Sequence, residues 1–367
     1  MNPSEGLVNA LNKMREWSST IYHQYVPIVT QDTNINDFGK PILDSNLTPV
    51  YNEFFTLIKR IAMAAIDARR YNNPLAFLEG DELPLGYAIE NIHVNPVKGR
   101  QFNVNDMAGL LQKYDANFKT EYLNVNVDLQ FPVTITRAKV RNAFTSWGEL
   151  EAFINGIIES LYNSAEIQQF KLTKGLVATA YKSNQVQYEV VAKPTDATKA
   201  TALVKTLRKL YTKFRFPSSD YNAWKKVNTD DSAAITYTNP EDVVVLISSD
   251  YEAEIDVEVL AKAFNMDKST MLGRIVVTDN WDITDEEGNT VYDGSHIICA
   301  IADRRWFKIR MQDREMDEFY NPNARTWTYW YNITGMYNYS LLANCVVLCD
   351  EAPSDESGSG VESGSGL

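Results

Sequence analysis

The sequence predicts an α+β fold, and three observations carry that expectation. From Leu123 to Ile135 apolar and polar residues alternate strictly. From Leu150 to Ala165 apolar residues recur at helical spacing. From Val186 onward, strand patterns and helix patterns take turns in the manner of a mixed α/β domain.

In the first run, Leu123, Val125, Val127, Leu129, Phe131, Val133 and Ile135 alternate with Asn124, Asn126, Asp128, Gln130 and Thr134. That period of two predicts one long strand, and Pro132 marks a bend or an edge near its end. The preceding residues, from Gly80 to Lys119, are polar and poor in core-forming side chains. Together, Gly80–Ile135 reads as a long two-stranded loop projecting from the body. An isolated hairpin buries too little to hold itself, so the loop needs a neighbouring subunit to lie on.

In the second run, Leu150, Phe153, Ile154, Ile157, Ile158, Leu161, Tyr162 and Ala165 form one stripe, continuing weakly through Leu172 and Leu176. A helix of about 25 residues would be about 37 Å long. A shorter helix is predicted upstream, where Phe54, Ile58, Ile61, Ala62, Ala65 and Ile66 share a face that ends near Arg70. Residues 1–50 have weak periodicity. A short helix is expected within Met1–Trp17, and Val29–Pro49 reads as an extended arm or loop.

In the third region, strands are expected at Val186–Ala192, Val243–Ile247, Arg274–Thr278, His296–Ile301 and Trp306–Ile309. Helices are expected at Ile255–Phe264 and after a cap at Thr195 or Asp196, where Leu203, Leu207, Leu210, Tyr211 and Phe214 line one side. Turn chemistry gathers around Gly288. The aromatic stretch Trp327–Leu348 reads as strands of the main body. The close, DEAPSDESGSGVESGSGL, carries no basic residue and reads as a disordered acidic tail.

Of the 367 residues, 44% are hydrophobic and 23% charged, ordinary proportions for a chain that buries a core. The net charge of −13 argues against gripping nucleic acid as the main task. It is compatible with a container whose surface repels packaged phosphates. Cys299, Cys345 and Cys349 are too few and odd in number for a disulfide framework, which fits folding in a reducing compartment. The N-terminus lacks a signal-peptide pattern, and no apolar run is long enough to span a membrane.

Candidate chemistry is thin. His23, His93 and His296 are scattered, and a polar structural role suits each better than a triad or metal site. Cys345 and Cys349 would need Cys299 and His296 to complete a zinc site; inert buried thiols are the simpler reading. Asp279, Asp282, Asp285, Glu286 and Glu287 depart from calcium-loop spacing and read as a solvated hairpin. Asp81 and Glu82 sit at the root of the projecting loop, not in an evident cleft. No phosphate-binding or nucleophile-elbow motif occurs. Lys205, Arg208, Lys209 and Lys213 share a helix face, with Arg215 beside them; they form a solvated face or a contact between subunits. Trp327, Tyr329, Trp330, Tyr331, Tyr337 and Tyr339 read as core and interface anchors. No cofactor and no enzymatic activity are expected.

Four segments, in order, resemble the major capsid proteins of small short-tailed bacteriophages. They are NPLAFLEGDELPLGYAIENI (Asn73–Ile92), RNAFTSWGELEAFINGIIESLYN (Arg141–Asn163), DVVVLISSDYEAEIDVEVLAKAFNMDKSTMLGRIVVTDN (Asp242–Asn280) and EFYNPNARTWTYWYNITGMYNYSLLANCVV (Glu318–Val347). The resemblance implies the capsid fold first described for phage Hong Kong 97. It implies an N-terminal arm over residues 1–50 and a peripheral domain with spine helix over 51–79 and 136–185. An extended loop would cover 80–135, an axial domain 186–325, a peripheral return 326–350 and the tail 351–367.

It further implies a virion protein, assembled in the host cytoplasm with no membrane association. The protein would form hexamers and pentamers of an icosahedral head, with a scaffolding protein and a portal as partners. The head would enclose double-stranded DNA without reading its sequence. Lys98, Arg100, Phe102 and Lys113 on the loop, and Lys205, Arg208 and Lys209 on the axial helix, are the candidate intersubunit contacts. Two other readings stay open at this point: a nanocompartment shell of the same fold, and a soluble enzyme acting on carbohydrate.

Overall fold

The computed structural model describes residues 2–44, 46–64, 71–84, 86, 88–101, 113–228, 233–252, 275–285 and 288–353. The chain divides into two compact units, each built from three separate stretches of sequence. The first comprises Met1–Asn73, Val127–Gln169 and Met311–Gly335, and the second Pro74–Asn126, Phe170–Arg310 and Met336–Leu367.

The first unit opens with helices α1 (Glu5–Glu16), α2 (Thr20–Tyr25), α3 (Ile35–Leu43) and α4 (Thr48–Ala64). Ser4 and Ser19 cap the first two by accepting from the Leu7 and Tyr22 amides. The expected extended stretch at Val29–Pro49 is therefore corrected: α3 occupies its middle. Gly39 and Pro41 argue against a helix locally, since proline removes one backbone hydrogen bond. Tertiary burial overrides them, because Ile35, Phe38 and Ile42 all enter the core. Phe38 lies 5.5 Å from Trp147 and 6.3 Å from Phe54, ring centre to ring centre. Gly39 is needed for close approach, as a Cβ there would lie 2.7 Å from Phe144 Cδ1.

The expected single strand over Leu123–Ile135 is also corrected. It is two strands, β2 (Phe118–Leu123) and β3 (Val127–Thr136), with different partners. Asn126 explains the break: its side-chain amide donates to the Tyr337 carbonyl at 3.0 Å and its carbonyl accepts from the Tyr337 amide at 2.9 Å. A side chain there takes the hydrogen bonds that a strand backbone would make. β3 pairs antiparallel with β11 (Thr326–Tyr339), and β10 (Phe307–Asn321) completes a three-stranded sheet in the order β10-β11-β3. Pro132, opposite Trp330, sits on an edge strand, the place in a sheet where proline is tolerated. β10 runs well past the predicted Trp306–Ile309.

Helix α5 (Arg137–Ala143) leads into α6 (Trp147–Lys182), a helix of 36 residues. At 1.5 Å per residue it is about 54 Å long, half as long again as expected. Its continuation lacks a clean stripe but buries Val177, Ala178, Ala180 and Tyr181 in the second unit.

The second unit is built on a five-stranded mixed sheet in the order β4-β12-β9-β5-β6. Its strands are β4 (Gln187–Val190), β5 (Val243–Ser248), β6 (Ile275–Thr278), β9 (Ile297–Asp303) and β12 (Cys345–Cys349). Helix α7 (Ala197–Phe214), capped by Asp196, lays Leu203, Leu207, Leu210 and Phe214 on Val243, Val245, Ile298 and Val346. The aromatic close does not stay together: β11 joins the three-stranded sheet, whereas β12 pairs with β4 and β9. A small hairpin, β7 (Ile283–Thr284) and β8 (Thr290–Tyr292), turns at Gly288, whose φ of +88° suits glycine. The expected helix Ile255–Phe264 and most of the tail lie outside the described residues.

Candidate assembly surface

The second unit carries a two-stranded ribbon, β1 (Ile89–Val94) paired antiparallel with β2. Strand alternation gives it two faces of opposite character. Asn91 and His93 of β1 and Lys119 and Glu121 of β2 point to the unit. The Asn91 amide donates to Glu121 at 2.5 Å, and Glu121 also accepts from the Leu341 amide at 2.9 Å and from the Ser340 hydroxyl. His93 Nε2 lies 3.0 Å from the Ile235 carbonyl oxygen. Lys119 is buried with its ammonium 5.8 Å from the Trp224 ring centre. At the ribbon's end the Asn95 side chain bonds Ala233 and Ile235 backbone atoms at 2.8 Å each.

The opposite face is apolar and open. Ile92, Val94, Phe118 and Tyr122 are 53%, 46%, 62% and 70% exposed. Val94 stands directly across from Phe118, and Glu90 across from Tyr122. The ribbon thus holds to its own unit by polar contacts and offers its apolar side outward, the reverse of an ordinary half-buried ribbon. Sequence reasoning missed these four residues, although the alternation Ile89-Glu90-Asn91-Ile92-His93-Val94 held the signal. The natural assumption that apolar side chains face the chain's own core concealed it.

Lys98 and Arg100 extend beyond the ribbon and are exposed, as is Lys113; Phe102 lies outside the described residues. Arg100 lies 5.6 Å from the Tyr114 ring centre and donates to its hydroxyl. On α7, Lys205, Arg208 and Lys209 point away from the sheet and are exposed. Lys209 is already paired with Glu189 of β4 at 2.9 Å, so part of that positive face is neutralised within the chain. The structure does not bring the loop group and the α7 group into one site.

The remaining candidates take separate structural places. Cys299, Cys345 and Cys349 are free and buried, and burial pushes the Cys299 and Cys345 thiols far above the ordinary range. Asp279 pairs with Lys174 at 2.6 Å, Asp282 accepts from the Gly294 amide, and Asp285 braces Asn289 in the hairpin turn. Asp81 and Glu82 are exposed. Among the described residues, no group of three His, Cys, Asp or Glu is placed to hold a metal ion, and no helix is long and apolar enough to cross a membrane. His296 Nδ1 lies 3.0 Å from Asp350, which also binds Lys193 at 3.0 Å. These contacts clasp the chain where the acidic tail begins.

Comparison with known proteins agrees with this structural character. The capsid structure of Staphylococcus phage Andhra superposes with a TM-score of 0.62 at 13% identity, covering 77% of this chain and 86% of that one. The capsid structure of cyanophage P-SCSP1u gives 0.51 at 11% identity, covering 78% and 90%. Both likenesses show the fold, and the expected capsid fold of the Hong Kong 97 type is the one observed. The major capsid protein of Bacillus phage PZA is 31% identical over 341 residues, 92% of this chain and 71% of that protein. That of Streptococcus phage Cp-1 is 26% identical over 351 residues, 92% of each chain. The model of the family described as Phi29-like phage major capsid protein matches residues 11–349, and the chain belongs to that family.

Proposed function

We propose that copies of this phage head subunit close into an icosahedral shell of hexamers and pentamers, with the β1–β2 ribbon lying on a neighbouring subunit. The observation that carries the reading is the outward apolar face of Ile92, Val94, Phe118 and Tyr122. Covering a large apolar side chain contributes about 1.5–3 kcal/mol, so a monomer forgoes stabilisation that a neighbour supplies. Quasi-equivalent contacts need a surface that tolerates small shifts, and an apolar patch does so better than directional hydrogen bonds.

Lys98, Arg100, Phe102 and Lys113 beyond the ribbon, and Lys205 and Arg208 on α7, are further contact candidates in this reading. Lys209 is a weaker one, because Glu189 already holds it. The net charge of −13 suits a wall that leaves enclosed double-stranded DNA mobile. A scaffolding protein and a portal complete the assembly, which takes place in the host cytoplasm. The chain's role is geometric rather than catalytic.

Electron microscopy of the purified full chain, alone and co-expressed with scaffold and portal, tests this. Closed shells are expected. A protein that stays monomeric under every condition overturns the reading.

A further inference from the structure

A cleft of about 350 Å³ opens beside the ribbon root in the second unit. Its walls are Asn91 and His93 of β1, Thr236 and Tyr237, the corner Asp303–Arg305 with Lys308 of β10, and the turn from Ser340 to Asn344. Its size lies within the range that small ligands occupy.

The charges in and around it are unevenly committed. Asp303 is 1% exposed and fully engaged. One of its carboxylate oxygens accepts from the Arg305 amide at 2.8 Å and Nε at 3.1 Å. The other accepts from Arg305 Nη2 and from the Thr238 hydroxyl, at 2.8 and 2.9 Å. Glu121, close behind, is taken up by Asn91, Ser340 and the Leu341 amide. Both carboxylates are therefore spent. The cations are less fully committed, although Asp303 already pairs one side of the Arg305 guanidinium. Arg305 Nη1 has no hydrogen-bond partner among the described residues, and neither has the Lys308 ammonium. Burial pulls the Lys308 amine below its ordinary range, with the Arg310 and Arg305 charges adding to the shift and Glu121 and Asp303 partly opposing it. Burying an ammonium that no carboxylate hydrogen-bonds is costly, and an oxyanion shared with a neighbouring guanidinium offsets that cost.

We propose that this cleft is an oxyanion site, taking a carboxylate or phosphate group between Lys308 and Arg305. The group comes either from a free solute or from an acidic side chain of a second copy. Asn91 and His93 belong to both ribbon and cleft, so a bound anion also braces the ribbon root.

The test uses full-length protein in two states. On dissociated subunits, thermal stability and calorimetric binding are measured with inorganic phosphate against sodium chloride of equal ionic strength. Saturable stabilisation by phosphate is expected. Lys308→Met should weaken phosphate binding at least tenfold, whereas Lys308→Arg, which keeps the positive charge, should retain it. The same titration on assembled shells separates the sources. Binding retained there identifies a free anion; binding lost on assembly identifies a neighbour's carboxylate. The proposal is overturned if phosphate acts no differently from chloride on wild-type subunits, or if Lys308→Met binds as wild type does.

Discussion

Gly39 shows how a single hydrogen in place of a methyl group shapes the first unit. The Phe144 ring that its absent Cβ would strike is itself held by Phe54, at 5.6 Å between ring centres, and by Phe38 at 6.1 Å. These two contacts oppose its movement. Alanine would gain about 1 kcal/mol of helix propensity over glycine, and overpacking costs about 1–3 kcal/mol. Gly39→Ala should therefore be neutral to destabilising. Gly39→Val, with more volume and less propensity gain, should be clearly worse. Urea unfolding checks the order, and a valine variant more stable than wild type would contradict the packing account. Asp350 makes a second residue-scale case. Burial raises its carboxyl, but hydrogen bonds and charge from Lys193 and His296 outweigh it and hold the group below the ordinary carboxylate range. A carboxyl depressed in the folded state contributes stability that is present above its unfolded value, about 3.9, and lost as pH falls through the folded value. The stability gap between wild type and Asp350→Asn should thus close as pH falls below about 4. A gap that persists undiminished well below about pH 4 would reverse the assignment.

At the scale of elements, the ribbon and the two strands that flank the break at Asn126 are the informative pieces. The alternation through Leu123–Ile135 was legible, and β3 lies where it predicted strand, whereas β2 lies almost wholly upstream of it. What alternation does not carry is partnership. Asn126 reads locally as one more polar position in a strand, and only Tyr337, far along the chain, makes its amide a strand substitute. The ribbon's polarity is similar: the period was visible, but which face meets the body depends on Glu121 finding Ser340 and Leu341. Val94→Glu combined with Phe118→Ser changes only the outer face at one cross-strand pair. The double variant should remain a folded, soluble subunit with unchanged circular dichroism and fail to close shells. Normal shells from it would remove the ribbon from the contact.

At the scale of the whole molecule, the chain passes between its two units repeatedly, with α6, β10 and β11 each beginning in one and ending in the other. Truncation at Asp355 removes a segment whose sequence offers no core-forming run, and the clasp at Asp350 stays intact. Shells should still form, with lower net negative charge by electrophoretic mobility; failure to assemble would give the tail an active part. The α+β class, the stripe that begins α6, the α7 face, the β5 strand and the order of segments that resemble phage capsid proteins were all legible in the order of residues. Those are local periodicities, set by which side chains must leave water. Three features emerge only from the packed chain: α3 forms despite Gly39 and Pro41, β12 leaves β11 for the five-stranded sheet, and the ribbon turns its apolar face outward. Each of these rests on contacts between residues far apart in the chain, and a one-dimensional pattern holds no record of such partners.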